Sequence, residues 1–146
     1  MEDIKRFTEK LAGKEYLEAT AIGRKFFEAR EDLLSIKEKI GMQPHSIGLP
    51  LGERTRNGFK PSLHLLERIS EESDKKVFVN DKAEWLFLCG RDILSKSITR
   101  DEASNRWCLV QNEKDENLGL GEKQVKGKKV VVKNIFDRGD FLRREK

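Results

Sequence analysis

The chain has 146 residues, of which 30 are lysine or arginine and 26 are aspartate or glutamate, so its formal net charge is +4. This length suffices for one ordinary domain or two small ones. No apolar run approaches the roughly 20 residues of a membrane-spanning helix, which excludes a transmembrane protein. The sequence starts with acidic residues and lacks the apolar stretch of a signal peptide, so we expect an intracellular, cytoplasmic protein.

Few side chains are suited to catalysis or metal binding. The histidines His45 and His64 and the cysteines Cys89 and Cys108 are far apart in the sequence. No CxxC, HExxH or phosphate-binding loop motif occurs. We therefore expect no metal centre, no cofactor and no catalysis, and the composition favours a binding protein. In a reducing compartment both cysteines are expected to be small buried apolar residues.

The first part of the sequence predicts a helix and then a hairpin. Apolar residues at helical spacing predict an amphipathic helix over residues 3–11. Two short runs tolerant of strand structure, residues 16–21 and 25–29, flank Gly23 and predict a β-hairpin. The alternative is one continuous helix over residues 15–40, because Glu, Ala, Lys and Leu abound there.

A firmer helix is predicted over residues 31–40. Leu33, Ile36 and Ile40 form one apolar stripe at helical spacing. Gly41 is expected to end this helix, since glycine readily adopts the left-handed conformation at a helix C-terminus.

The next segment, residues 43–60, is rich in glycine and proline and predicts a turn between two strands. The strands are expected at residues 46–51 and 59–63, and Asn57-Gly58 forms the turn. This turn is basic. It predicts a second basic surface that binds either RNA or a protein, formed by Arg54, Arg56 and Lys60.

A short helix over residues 63–69 is followed by the best linker in the sequence, the hydrophilic run 70–76. The linker predicts two domains, residues 1–76 and 77–146. In the second domain the pattern predicts a helix over residues 82–89 that ends at Gly90. Short strands separated by glycine-rich and charged turns are typical of a small barrel, and they are expected at residues 77–79, 107–111, 118–122 and 128–134, with a loop or short strand at 93–98.

The order of features after residue 77 resembles a PUA domain, the RNA-binding module named for pseudouridine synthases and archaeosine transglycosylases. The resemblance rests on the helix-to-glycine segment Leu88-Cys-Gly90-Arg91-Asp92, the strand Leu118-Gly-Leu-Gly121 and the valine-rich strand near the end. In that family the first of these segments and the loop after it form a surface that faces RNA. The resemblance implies the same for this chain.

The first half strengthens the resemblance. The segments FF-EDLLSIKEKIG and HSIGLPLGERTRNGFKPSLHLLERI are similar in order and spacing to ribosome-biogenesis factors of the Nip-seven family and to archaeal factors of the NOL/NOP/fmu type. Those proteins place a small α/β domain before a PUA domain. The resemblance therefore implies an α+β fold with a pre-PUA domain and a PUA-like barrel, and a role in ribosomal RNA maturation without catalysis.

Basic side chains near the end of the sequence are the candidates for contacts with RNA phosphates. Gly127 allows a turn that would fan lysines onto one rim, and the alternative is a solvated hairpin loop. Arginines follow Gly90 and could bind phosphate or stack on a base, although Asp92 or Asp101 could pair with them instead. The candidate RNA-binding residues are Lys123, Lys126, Lys128, Lys129, Lys133, Arg91 and Arg100.

Four other residues have structural interpretations. Trp85 and Trp107 lie in apolar strings and are expected in the core, with a base-stacking platform as the alternative. Asp137 and Asp140 are expected to form a turn and cap a helix rather than act as an acid–base pair.

Two functions remain open at this stage. The first is a non-catalytic RNA-binding protein that assists ribosomal RNA maturation and ribosome biogenesis, with RNA and pre-ribosomal proteins as partners. The second is an accessory module that delivers tRNA or rRNA to a separate RNA methyltransferase of the m5C type.

Overall fold

A four-stranded antiparallel sheet organises the first half of the chain in a computed structural model that describes residues 2–14 and 19–144. This first unit comprises residues 1–69. Its strands are paired in sequence order, each with the next. The elements are α1 (Glu2–Ala12), β1 (Ala19–Ile22), β2 (Lys25–Glu28), α2 (Glu31–Ile40), β3 (Leu49–Thr55), β4 (Gly58–Pro61) and α3 (Leu63–Ser70).

The predicted hairpin is confirmed over the continuous helix. β1 and β2 pair through a turn at Gly23, whose φ of 60° favours glycine. Residues 16–18 of the predicted first strand lie outside the described residues. The predicted strand at 46–51 begins later and runs to Thr55, so Arg54 lies in β3 and not in a turn.

Helix α2 has the predicted bounds and ends at Gly41, whose φ is 68°. Its contact with the sheet, however, is made by Leu34, which packs beside the buried cluster of Ile22, Phe27 and Ile47. The predicted stripe of Leu33, Ile36 and Ile40 is exposed, at 36%, 51% and 60%. The pattern therefore identified the helix but not the side chain that anchors it.

A five-stranded sheet organises the second unit, residues 70–146. The strand order is β6-β5-β7-β8-β9, and β5 and β7 are parallel while the other pairs are antiparallel. The elements are β5 (Lys76–Val79), α4 (Asp81–Leu88), a 3₁₀ turn (Ser95–Ser97), β6 (Ile98–Asp101), β7 (Trp107–Gln111), β8 (Asn117–Lys126), β9 (Lys129–Asp137) and α5 (Asp140–Arg144).

The sheet curls into a half-barrel around an apolar core. A bridge between Ile93 and Val132 ties the segment before β6 to β9, although these strands lie at opposite ends of the sheet. Both side chains are fully buried with Val77, Phe87 and Val110. The α+β prediction is confirmed. None of the described helices is long and apolar enough to cross a membrane.

The expectation that Trp85 belongs to the core is wrong. Helix α4 begins with the Asn80 side chain accepting a hydrogen bond from the Ala83 N–H at 2.9 Å. It buries Ala83 and Phe87, four residues apart. Trp85 lies halfway between them on the opposite side of the helix and is 67% exposed. Trp107 is half-buried.

The expectation that both cysteines are buried is wrong for Cys89. It follows the last residue of α4 on the same helical face as Trp85 and is exposed, whereas Cys108 is buried in β7.

The two thiols are expected to react differently. Burial raises the pKa of Cys108 to about 12, so its reactive thiolate is scarce at neutral pH. Iodoacetamide should modify only Cys89 in the native chain and both cysteines after unfolding in urea, counted by mass spectrometry. Equal alkylation rates at the two positions in the native chain would contradict this structure.

Candidate nucleic-acid interface

The register of the β8–β9 hairpin decides which lysines share a face. Lys126 pairs directly with Lys129, and Glu122 pairs with Lys133. Directly opposed residues point to the same face of a sheet, and residues two apart along a strand do as well. Lys126, Lys129 and Lys133 therefore lie on one face, which we call the lysine face. All three are exposed.

The tip of the hairpin adds a further cation. Lys128 is exposed in the turn after Gly127, whose φ is 65°. Like charges directly opposed across two strands repel each other, as Lys126 and Lys129 do here. A bound anion would relieve that repulsion. The hairpin tip is therefore suited to a phosphate.

One acidic side chain lies on the lysine face, and an arginine neutralises it. The Arg106 Nε donates to the Glu122 Oε1 at 2.9 Å. This hydrogen bond is the main cause that lowers the pKa of Glu122. Arg106 was not among the predicted residues, because only the pairing of β8 with β7 brings it to Glu122.

Lys123 belongs to a different environment from the other candidate lysines. It lies between Glu122 and Gln124 and so points to the opposite face of β8. Its Nζ is 2.7 Å from the Asp101 carboxylate and donates to the Ala103 carbonyl at 2.7 Å. These contacts fasten the loop after β6 to the sheet.

The loop after Gly90 is docked on β9 beside Lys133. The Asn134 Nδ2 donates to the Phe87 carbonyl at 2.8 Å, and the Asn134 N–H donates to the Asp92 carboxylate at 2.9 Å. Arg91 is exposed in this loop. The loop that carries Arg91 therefore lies along the same strand that carries Lys133.

Arg100 lies apart from the lysine face. Its guanidinium carbon is 3.9 Å from the ring centre of Phe78, and its Nε is 3.0 Å from Glu102. Neither predicted partner, Asp92 nor Asp101, is the residue that pairs with it. Arg100 is opposite Phe78, which in turn is opposite Gln111 at the end of β7, next to the start of β8. Lys126 is the last residue of β8, roughly 30 Å away along that strand.

The second basic surface predicted in the first unit is also divided. The Arg54 Nε donates a hydrogen bond to the Asp3 carboxylate at 2.5 Å. Arg54 in β3 pairs with Phe59 in β4, so the two side chains share a face. Lys60 is opposed to Glu53, so it points to the other face of the β3–β4 pair. Arg56 is exposed in the turn. The structure does not bring these three cations to one face.

Comparison with known proteins identifies the second unit. Residues 75–146 match the family described as "UPF0113 PUA domain". This segment is a UPF0113 PUA domain. The resemblance to PUA domains stated from the sequence is therefore confirmed.

Two archaeal relatives extend the similarity beyond the PUA domain. A UPF0113 protein of Archaeoglobus fulgidus is 35% identical over an alignment of 115 residues, and the match covers 72% of this chain and 66% of that protein. A UPF0113 protein of Aeropyrum pernix is 31% identical over 103 residues, 68% of this chain and 58% of that protein. The matched part is thus less than two thirds of either relative's length.

A solved structure supports the fold. It is described as a conserved PUA domain protein from Thermoplasma acidophilum, with 24% identity and a TM-score of 0.51 over 66% of this chain and 69% of that one. At this level of identity the similarity concerns the fold alone.

Proposed function

We propose that this chain binds RNA through the lysine face, Lys128 and the loop carrying Arg91, and that it assists ribosomal RNA maturation without catalysis of its own. The observation that carries the RNA-binding part is the lysine face within a PUA domain. Cations on one side of a hairpin neutralise phosphates without reading bases, so the contact would be strong and largely independent of sequence.

The role in ribosome biogenesis is supported by the organisation of the sequence. An α+β unit precedes the PUA domain, as in the Nip-seven type of factor that the sequence resembles. Ribosomal RNA is the partner in this proposal, and no cofactor takes part. Among the described residues, no three histidine, cysteine or acidic side chains lie together as metal ligands would.

The test is crosslinking of the full chain to RNA in native cells, followed by sequencing of the bound RNA. We expect ribosomal RNA precursors to predominate and pre-ribosomal proteins to copurify. A variant with Lys126→Glu and Lys129→Glu should lose most crosslinks. Crosslinks mainly to tRNA, together with one copurifying RNA methyltransferase, would instead support the accessory-module function and overturn the role in ribosome biogenesis.

A further inference from the structure

Helix α2 presents an apolar stripe to solvent in the first unit. Leu33, Ile36 and Ile40 follow one another at intervals of three and four residues, so they lie on one side of the helix. We call these three side chains the α2 stripe. Met42, just after the helix, is also exposed, at 74%. The proposed RNA interface does not use any of these residues, since it lies in the PUA domain.

The α2 stripe does not hold the helix on its sheet. That contact is made by Leu34, which packs beside a buried cluster that includes Phe27. Single exposed apolar side chains are common on protein surfaces and need no explanation. Aliphatic side chains aligned on one side of a helix are different, because they form the seam along which one helix packs on another. The α2 stripe therefore has the pattern of an interface.

Two unpaired lysines border the α2 stripe. Lys37 is four residues after Leu33, and residues at that spacing are neighbours on a helix. Lys39 is three residues after Ile36 and is therefore a neighbour of the stripe as well. Neither ammonium group has an ion-pair partner among the described residues. Both positive charges are available to a ligand that covers the stripe.

The acidic residues of α2 do not cancel these charges. Asp32 lies next to the stripe, but Arg30 binds both of its carboxylate oxygens, with Nη2 2.8 Å from Oδ2 and Nε 3.3 Å from Oδ1. This hydrogen bonding is the main cause that lowers the pKa of Asp32. Glu31 and Glu38 are three residues before and four residues after Leu34, so they lie on its side of the helix, away from the stripe. The border of the stripe is therefore positively charged.

We propose that the α2 stripe binds an amphipathic helix of a partner protein, whose apolar face is bordered by aspartate or glutamate. Apolar side chains of the two helices would interdigitate, and the acidic side chains of the partner would reach Lys37 and Lys39. The stripe is aliphatic, which suits an apolar helix better than RNA bases, because bases stack on flat groups. A second copy of the chain would present the same positive border, and like charges repel.

The proposed contact is small. Helix α2 has 10 residues, so it is about 15 Å long and matches about three turns of a partner helix. Contacts of this size are typical of weak, transient complexes. The first unit would thus bind a protein reversibly, and this contact does not depend on the proposed binding of RNA by the PUA domain.

Fluorescence anisotropy of a labelled synthetic peptide tests the proposal on the full chain. The probe is a peptide of about 18 residues, since shorter helices are marginal in water. It carries leucines at intervals of three and four residues, with glutamates on either side of them. A matched probe has lysines in place of the glutamates. The glutamate probe should bind about tenfold more tightly than the lysine probe, because the border of the stripe is positive.

Exchanging the charges of the chain locates the binding site. The double variant Lys37→Glu and Lys39→Glu should reverse the preference, so that the lysine probe binds about tenfold more tightly than the glutamate probe. The double variant Lys82→Glu and Lys114→Glu is the matched control, because it changes the net charge equally at exposed positions in the second unit. It should keep the preference for the glutamate probe.

A third variant tests the apolar contact. Ile36→Ser should weaken binding of the glutamate probe about tenfold, whereas Val125→Ser, at a side chain that is 73% exposed in β8, should not change it. The proposal is overturned if neither probe binds, or if the preference for glutamate survives the exchange at Lys37 and Lys39. A dimer of the chain, or binding to phosphatidylserine vesicles, that Ile36→Ser abolishes would assign the stripe to that occupant and also overturn the proposal.

Discussion

Replacing Lys126, Lys128 and Lys129 together with glutamate is expected to lower the affinity for single-stranded RNA roughly 100-fold at about 0.1 M salt. Each phosphate contact contributes about 0.7 to the slope of log K against log salt for single strands, so three lost contacts remove about 2 units of slope. The loss should be similar for all RNA sequences, because lysine contacts to phosphate carry no base information.

Fluorescence anisotropy of labelled RNA, titrated at several salt concentrations, measures both the affinity and the slope. A variant with Lys37→Glu, Lys39→Glu and Lys114→Glu changes the net charge equally at positions outside the hairpin. It should retain nearly all of the slope. If the two variants lost slope equally, RNA would be responding to net charge, and the lysine face would not be the binding surface.

Replacing Gly119 with alanine is expected to cost about 3 kcal/mol or more of unfolding free energy. Gly119 is in β8 opposite Asp137, and a Cβ there would lie 2.0 Å from the Phe136 carbonyl oxygen. The backbone of β9 would have to move away. The hairpin that carries the lysine face would therefore separate at its base.

Urea unfolding followed by circular dichroism measures this loss. Gly127→Ala is the matched control in the same hairpin, because its φ is 65° but no atom lies within 4 Å of the added Cβ. That variant should lose only about 1–2 kcal/mol, the cost of a left-handed backbone. Equal losses at the two glycines would show that backbone conformation, and not the close approach of β9, makes Gly119 necessary.

Local patterns predicted most of the secondary structure. Helix α2 and strand β7 have the predicted bounds, since an apolar repeat ended by Gly41 and an apolar run are both local signals. For β6 the sequence predicted only a loop or short strand at residues 93–98, which overlaps the strand at Ile98 alone. Most residues of β6 are exposed, so no apolar pattern marks the strand, and its pairing with β5 defines it. Strand pairing depends on residues that are distant in the sequence, so a local pattern does not predict it.

The candidate site could be predicted only in part for the same reason. The lysines around Gly127 were visible as a cluster, but the strand register alone separates Lys123 from Lys126, Lys129 and Lys133. The separation of Arg100 from them likewise follows from the order of the strands. A helix capped near Asp140 was expected, and α5 begins at Asp140. The pairing of its Arg143 with the buried Asp137 was not predicted.

The position of Asn134 has a consequence for the rate of association. Its backbone and side chain hold the loop after Gly90 against β9 through Asp92 and the Phe87 carbonyl. The loop is thus preorganised, and a nucleic acid that docks there does not have to order it first. Preorganisation removes part of the entropic cost of binding. Encounter with RNA should then be governed by electrostatic steering and not by a slow folding step.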